Sequence, residues 1–99
     1  MASIKLQQYK EAAATRFAVK GVEPLLELVL EDVQDRGQAS GYESFTLVFR
    51  GPRSPFIPQQ LVPLEHAGLG PCDMFLVPVS QDAEGYRYEA VFNRLVEEE

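Results

Sequence analysis

Large apolar residues alternate with polar ones along most of the chain, and the period differs only near the N-terminus. Within residues 3–14, Leu6, Tyr9 and Ala13 recur at spacings of three and four, which predicts one apolar stripe on a short helix. Ser3 is placed to cap it, because its hydroxyl can accept from the unpaired N–H groups of the first turn. Glu11-Ala12-Ala13-Ala14 adds strong helix formers. From residue 16 the period becomes two. Phe17 and Val19 alternate with Arg16, Ala18 and Lys20, which predicts a half-buried strand over 16–20, ended by Gly21.

Residues 24–33 satisfy both periods. Pro24 at a first helical position would group Leu25, Leu28 and Val29 on one face. As a strand, the same stretch points Leu26, Leu28 and Leu30 one way. The strand is preferred because the rest of the chain reads as β. Over 43–50, Phe45, Leu47 and Phe49 alternate with Ser44, Thr46, Val48 and Arg50. Gly51-Pro52-Arg53-Ser54-Pro55 ends that strand, since proline removes a donor and restricts the residue before it. A strand over 59–66 sets Val62, Leu64 and His66 on one face, with Pro63 marking an edge or a bulge. Over 73–79, Met74-Phe75-Leu76-Val77 is apolar in both phases, which predicts cover on both sides, and Pro78 again hints at an edge. Finally, 86–93 alternates Tyr86, Tyr88, Ala90 and Phe92 with Arg87, Glu89, Val91 and Asn93.

Six strands joined by short connections favour antiparallel neighbours, since a parallel pair needs a crossover of about a dozen residues. The expected fold is therefore mainly β. It is a six-stranded antiparallel meander forming a small barrel or two-layer sandwich, with the N-terminal helix plugging an open end. The 99 residues allow a single domain, 1–99, with one hydrophobic core.

Charge narrows the partners. The formal net charge is -6, and the nine Lys and Arg form no block. Neither a phosphate backbone nor an anionic membrane suits such a chain. The acidic tail, Glu97-Glu98-Glu99, reads as a solvated end. No stretch approaches the about 20 apolar residues of a membrane span, and the start lacks the apolar core of a secretory signal. A lone Cys72 excludes an internal disulfide. These features point to a cytoplasmic protein.

Candidate chemistry is sparse. His66 and Cys72 are separated by a Gly-rich turn, and Glu65 offers an acid, but a half-buried strand histidine and a small buried thiol explain them as well. One His and one Cys cannot complete a zinc tetrad. Asp32 and Asp35 before Gly37, and Asp82 and Glu84 before Gly85, are acidic loops that also read as ordinary turns. The glycines match neither nucleotide-binding pattern. No cofactor, metal or catalytic group is assigned.

The most unusual stretch is Gly51 to Gln60. Its three prolines stiffen a loop that presents Arg53, Phe56 and Ile57, and a stiff loop loses little entropy on binding. The competing reading folds Phe56 and Ile57 back over the core. If the 86–93 strand lies at an edge, it offers a second surface, for strand addition.

The runs Phe45-Thr46-Leu47-Val48-Phe49-Arg50-Gly51-Pro52, Leu64-Glu65-His66, Phe75-Leu76-Val77-Pro78-Val79 and Tyr88-Glu89-Ala90-Val91-Phe92-Asn93 resemble a small bacterial domain family of unknown function. Its stand-alone members are of about this length and are sometimes encoded near phage-tail-collar-like proteins. The likeness covers roughly residues 43–94. It implies a β-rich fold, a strand at 24–33 and a structural or assembly role, and it carries over no catalytic residue. The expected function is a non-enzymatic protein-interaction or assembly protein that binds another protein. The alternative is a small-ligand-binding barrel whose open end is lined by His66, Tyr86 and Tyr88, with Tyr9.

Overall fold

The computed structural model describes residues 4–21 and 25–95. One short helix, α1 (Leu6–Glu11), is followed by β1 (Arg16–Val19), β2 (Leu26–Ala39), β3 (Tyr42–Gly51), β4 (Gln60–Val62), β5 (Leu64–His66), β6 (Gly70–Pro71), β7 (Met74–Asp82) and β8 (Gly85–Leu95). All pairings are antiparallel, and the strands lie in the order β4-β7-β8-β3-β2-β1-β5-β6 in a sheet curled into a half-barrel.

β3 is central. Phe45, Leu47 and Phe49 are fully buried on its inner face. It pairs over its whole length with β8, from Tyr42↔Leu95 to Gly51↔Tyr86, and with β2 on the other side. Two register shifts, between Leu30 and Asp32 and between Asp35 and Gln38, bend β2. Its first residues pair with β1 and its later ones with β3, and bulges of this kind curl a sheet.

The sheet departs from the expected meander in two ways. There are eight strands rather than six, because Pro63 divides the 59–66 strand and a two-residue strand, β6, pairs with β5. Proline has no N–H to give the ladder, so the partner changes there: β4 pairs with β7, whereas β5 pairs with β1. Residues 60–66 thus run from one edge of the curled sheet to the other. The order is also not sequential, since the neighbour of β3 is β8 and not β4. The proline-rich segment after β3 carries the chain away to the far edge before β8 returns.

The 24–33 ambiguity resolves as strand from Leu26, with Leu26, Leu28 and Leu30 buried; Pro24 lies outside the described residues. The helix is shorter than 3–14. Its cap position is Lys5, whose backbone N–H donates to Gln8 Oε1 at 2.8 Å, and Ser3 lies outside the described residues. The alanine run does not extend the helix, because Ala14 takes a left-handed φ of 69° and its N–H donates to the Leu30 carbonyl of β2 at 2.7 Å. The chain is drawn off the helix axis onto the sheet. Ala12, not Ala13, is consequently the buried alanine.

The interior is filled by side chains. Phe17, Leu28, Leu30, Phe45, Leu47, Phe49, Leu64 and Leu76 are all fully buried, and Phe17 meets Phe49 edge-on at 5.2 Å. The two ends are closed differently. α1 inserts Tyr9 at one end, its ring 5.9 Å from Phe45 and 5.8 Å from Phe92. The segment after β3 covers the other, where the Ile57 N–H donates to the buried Tyr88 Oη at 3.1 Å. No described helix is long and apolar enough to cross a membrane.

Candidate functional site

The proline-rich segment makes one wall of a cleft. The Tyr88 hydroxyl pins Ile57, which is buried, while its neighbour Phe56 is 47% exposed and rests on the Tyr86 ring at 4.9 Å. The two readings of this loop therefore divide between adjacent residues: Ile57 caps the core and Phe56 faces outward. Arg53 is exposed. The opposite wall comes from β4 and the bend after it, Leu61, Val62 and Pro63, and the floor from Val19, Lys20 and Leu26. The cleft holds about 240 Å³ and is lined almost wholly by apolar side chains and proline rings. The Lys20 backbone N–H donates to the Pro63 carbonyl at 2.9 Å, which fixes the β4 wall to the floor.

Leu61 was legible only as an ordinary strand residue, although its phase gives it away. Val62 and Leu64 point inward, so Leu61, one residue before Val62, points out, and it is 64% exposed. It lies opposite Phe75 of β7, itself 50% exposed. The expected cover on both sides of β7 is thus absent among the described residues. Directly paired apolar residues in an open face extend the cleft across the β4–β7 surface.

The predicted pocket of His66, Tyr86 and Tyr88 does not assemble. Tyr86 and Tyr88 sit beneath the proline-rich segment, with Tyr88 buried in the core and its hydroxyl engaged by Ile57. Burial pushes the Tyr88 hydroxyl pKa up, against the opposing hydrogen bond from Ile57. His66 belongs to the α1 side. Its Nδ1 accepts from the Gly68 and Leu69 N–H groups at 3.0 and 3.1 Å, and its Nε2 lies 2.8 Å from Thr15 Oγ1. Two donors at Nδ1 assign the proton to Nε2, which donates to Thr15; Thr15 in turn donates to the Ala12 carbonyl. His66 thus ties the 67–69 turn to the end of α1, and its ring packs on Phe17 at 4.5 Å. Tyr9 lies at the helix end of the core, with burial raising its pKa to about 12.

Cys72 is buried, and burial pushes its thiol up to about 11, with Asp73 adding to the effect. Thiolate chemistry needs the opposite shift. With both His66 nitrogens engaged, the His66–Cys72 pairing has no geometric support. The acidic loops serve their turns. Asp35 accepts from the Gly37 N–H at 2.9 Å and pairs with Lys10 at 3.1 Å, so its carboxyl is held below the usual range, chiefly by the Gly37 bond. Asp82 is lowered in the same way, chiefly by Arg87 at 2.7 Å and also by the Gly85 N–H. No group of three metal-ligating side chains occurs among the described residues. The 86–93 strand is not an edge, since β8 is paired with β7 and β3.

Five cations elsewhere on the surface meet carboxylates, whereas Arg36 donates to Gln34 and Thr46. Lys10 pairs with Asp35, Arg16 with Glu27, Arg50 with Glu31 and Glu84, Arg87 with Glu31 and Asp82, and Arg94 with Glu43. Arg94 also donates to the Ile4 carbonyl at 2.7 Å and lies over the Phe45 ring at 5.0 Å, holding the start of the chain to its last strand.

No curated protein and no solved structure matches the chain. A family model does match, over residues 4–92, so the likeness takes in α1 and β2 as well as the C-terminal half. The chain belongs to the family described as a domain of unknown function, DUF6916.

Proposed function

We propose that the chain is a protein-interaction module that docks a segment of another protein in the cleft between the proline-rich loop and β4. The observation that carries this reading is the exposure of Phe56 and Leu61 across an apolar cleft whose proline-rich wall is pinned by the Ile57 N–H to Tyr88 and whose β4 wall is joined to the floor by the Lys20 N–H. Exposed aromatic and aliphatic side chains in a preorganised setting suit binding, because little conformational freedom is lost when the partner arrives. The resemblance to domains encoded near phage-tail-collar-like proteins supports an assembly setting for such a module.

The ligand-binding alternative is weaker on size. The interior is occupied by its own side chains, and the cleft, at about 240 Å³, falls below the ~300–1,000 Å³ usual for a small-molecule pocket. It suits anchoring side chains of a polypeptide better than enclosing a whole ligand.

The test is co-precipitation from native lysate with the wild-type chain and with an Arg53→Ser/Phe56→Ser variant, both residues being exposed and outside the core. A defined partner retained by the wild type and lost by the variant supports the proposal. A partner held equally by both places the contact elsewhere.

A further inference from the structure

The cleft carries positive charge on an otherwise acidic chain. Carboxylates outnumber cations by fifteen to nine in the chain. Five cations, Lys10, Arg16, Arg50, Arg87 and Arg94, sit on carboxylates of the same chain. Arg36 donates to Gln34 and Thr46. Lys20 and Arg53 have no carboxylate partner among the described residues, although the chain carries acid in excess. Both belong to the cleft region. Lys20 is the one charged residue in its lining, and Arg53 stands two residues before Pro55, which lines it as well. Among the described residues, this acidic molecule thus keeps two exposed cations without a carboxylate partner, one in the lining of the apolar cleft and one two residues from it in the chain.

We infer that the cleft recognises an acidic-apolar segment of a partner protein, in which an aromatic or aliphatic anchor enters between Phe56 and Leu61 and neighbouring carboxylates meet Lys20 and Arg53. The inference rests on the docking function proposed above and specifies its partner. The division of labour is physical. Burial of the anchor supplies affinity, roughly in proportion to the apolar area covered. The cations supply selection, because a basic segment would meet like charge at both positions, whereas an acidic one is steered to the cleft against the repulsion of a chain of net charge -6. A second copy of this chain is a poorer occupant, since two bodies of the same net charge repel.

The test uses a displayed library of random twelve-residue peptides selected on the immobilised full chain, with two variants in parallel. Lys20→Glu/Arg53→Glu reverses the charge at exposed positions, and Phe56→Ser/Leu61→Ser removes the exposed apolar walls; circular dichroism confirms the fold of each. The expected result is enrichment of Asp and Glu around an aromatic or Leu in peptides selected by the wild type. Binding of such a peptide weakens about tenfold or more in the charge-reversed variant, equivalent to about 1.4 kcal/mol, and is lost in the apolar one. That charge-reversed variant selects basic peptides instead. Apolar peptides without acidic enrichment, lost only in the Phe56→Ser/Leu61→Ser variant, would leave the docking reading standing and overturn the acidic specificity. No enrichment, or enrichment unaffected by either variant, would overturn the inference, while the lysate experiment decides the docking reading independently. Sedimentation showing that the wild type self-associates through Phe56 and Leu61 would overturn it in favour of a second copy.

Discussion

Tyr88 joins the core to the candidate site through one oxygen. Its ring is buried among the inner-face residues, and its hydroxyl accepts from the Ile57 N–H, which has no strand partner. Tyr88→Phe keeps the shape and orphans that buried donor. The expected cost is about 1–3 kcal/mol, seen as a lower urea midpoint with an unchanged slope, and the Ile57 amide exchanges faster with solvent. A midpoint equal to that of the wild type would show that the loop is held by other contacts. Cys72 reports on burial beside β5, where its N–H donates to the Leu64 carbonyl. An unfolded thiol ionises near 9.0 and the folded one near 11, so this contribution to stability is complete below pH 9 and is lost as pH rises towards 11. Tyr9, raised to about 12, extends the loss further. The urea midpoint is therefore expected to hold from pH 7 to 8.5 and to fall above 9, with Cys72→Ala delaying the fall. In the native protein at pH 8 the thiol stays unreactive towards a disulfide-exchange reagent and reacts fully in urea. Fast native labelling would contradict the burial.

At the scale of elements, close backbone approach governs where β3 and β8 meet. A Cβ on Gly85 would clash with the Gly51 carbonyl oxygen, and Gly85 has a φ of +152°. A Cβ on Gly51 would meet Leu28 at 2.7 Å. Gly85→Ala forces backbone to move and is expected to cost about 2–3 kcal/mol or more, measurable as a fall in melting temperature; a loss below 0.5 kcal/mol would show that the strand end has room. β3 and β8 were legible as elements because their inner faces carry Phe45, Leu47 and Phe49 and Tyr88 and Ala90 in strict alternation, and all five are buried. α1 was legible in kind and not in length. Its end is set by a bond from Ala14 to Leu30 of β2, a tertiary contact that overrides the helix preference of an alanine run. Pro63 was legible as a break but not as a change of partner, because the two strands it separates pair with segments far apart in the chain.

At the scale of the molecule, β3 lies beside β8 although 33 residues of other structure separate Gly51 from Gly85 in the chain. Local alternation says which face of each strand is buried but not which strand lies next to it, so the meander was the simplest order and the wrong one. The same limit applied to the candidate site. Arg53 and Phe56 stood out because prolines flank them, whereas Lys20 and Leu61 have no local signal and matter only because residues 60–66 cross from one sheet edge to the other past β1. His66 was conspicuous as the single histidine, and it ties a turn to the helix. The resulting architecture closes one end of a filled half-barrel with α1 and the other with a proline-stiffened loop, whose outer surface is apolar and flanked by two cations without carboxylate partners among the described residues. Site-specific photo-crosslinking in cells that express the chain tests this assignment most directly, with a benzophenone side chain at position 61 and, as control, at exposed position 38 near the far hairpin. The expected result is one defined partner protein captured from position 61 through an acidic-apolar segment, and none from position 38. Capture of the same proteins from both positions, or of a partner from position 38 alone, would contradict the assignment of the cleft as the docking surface.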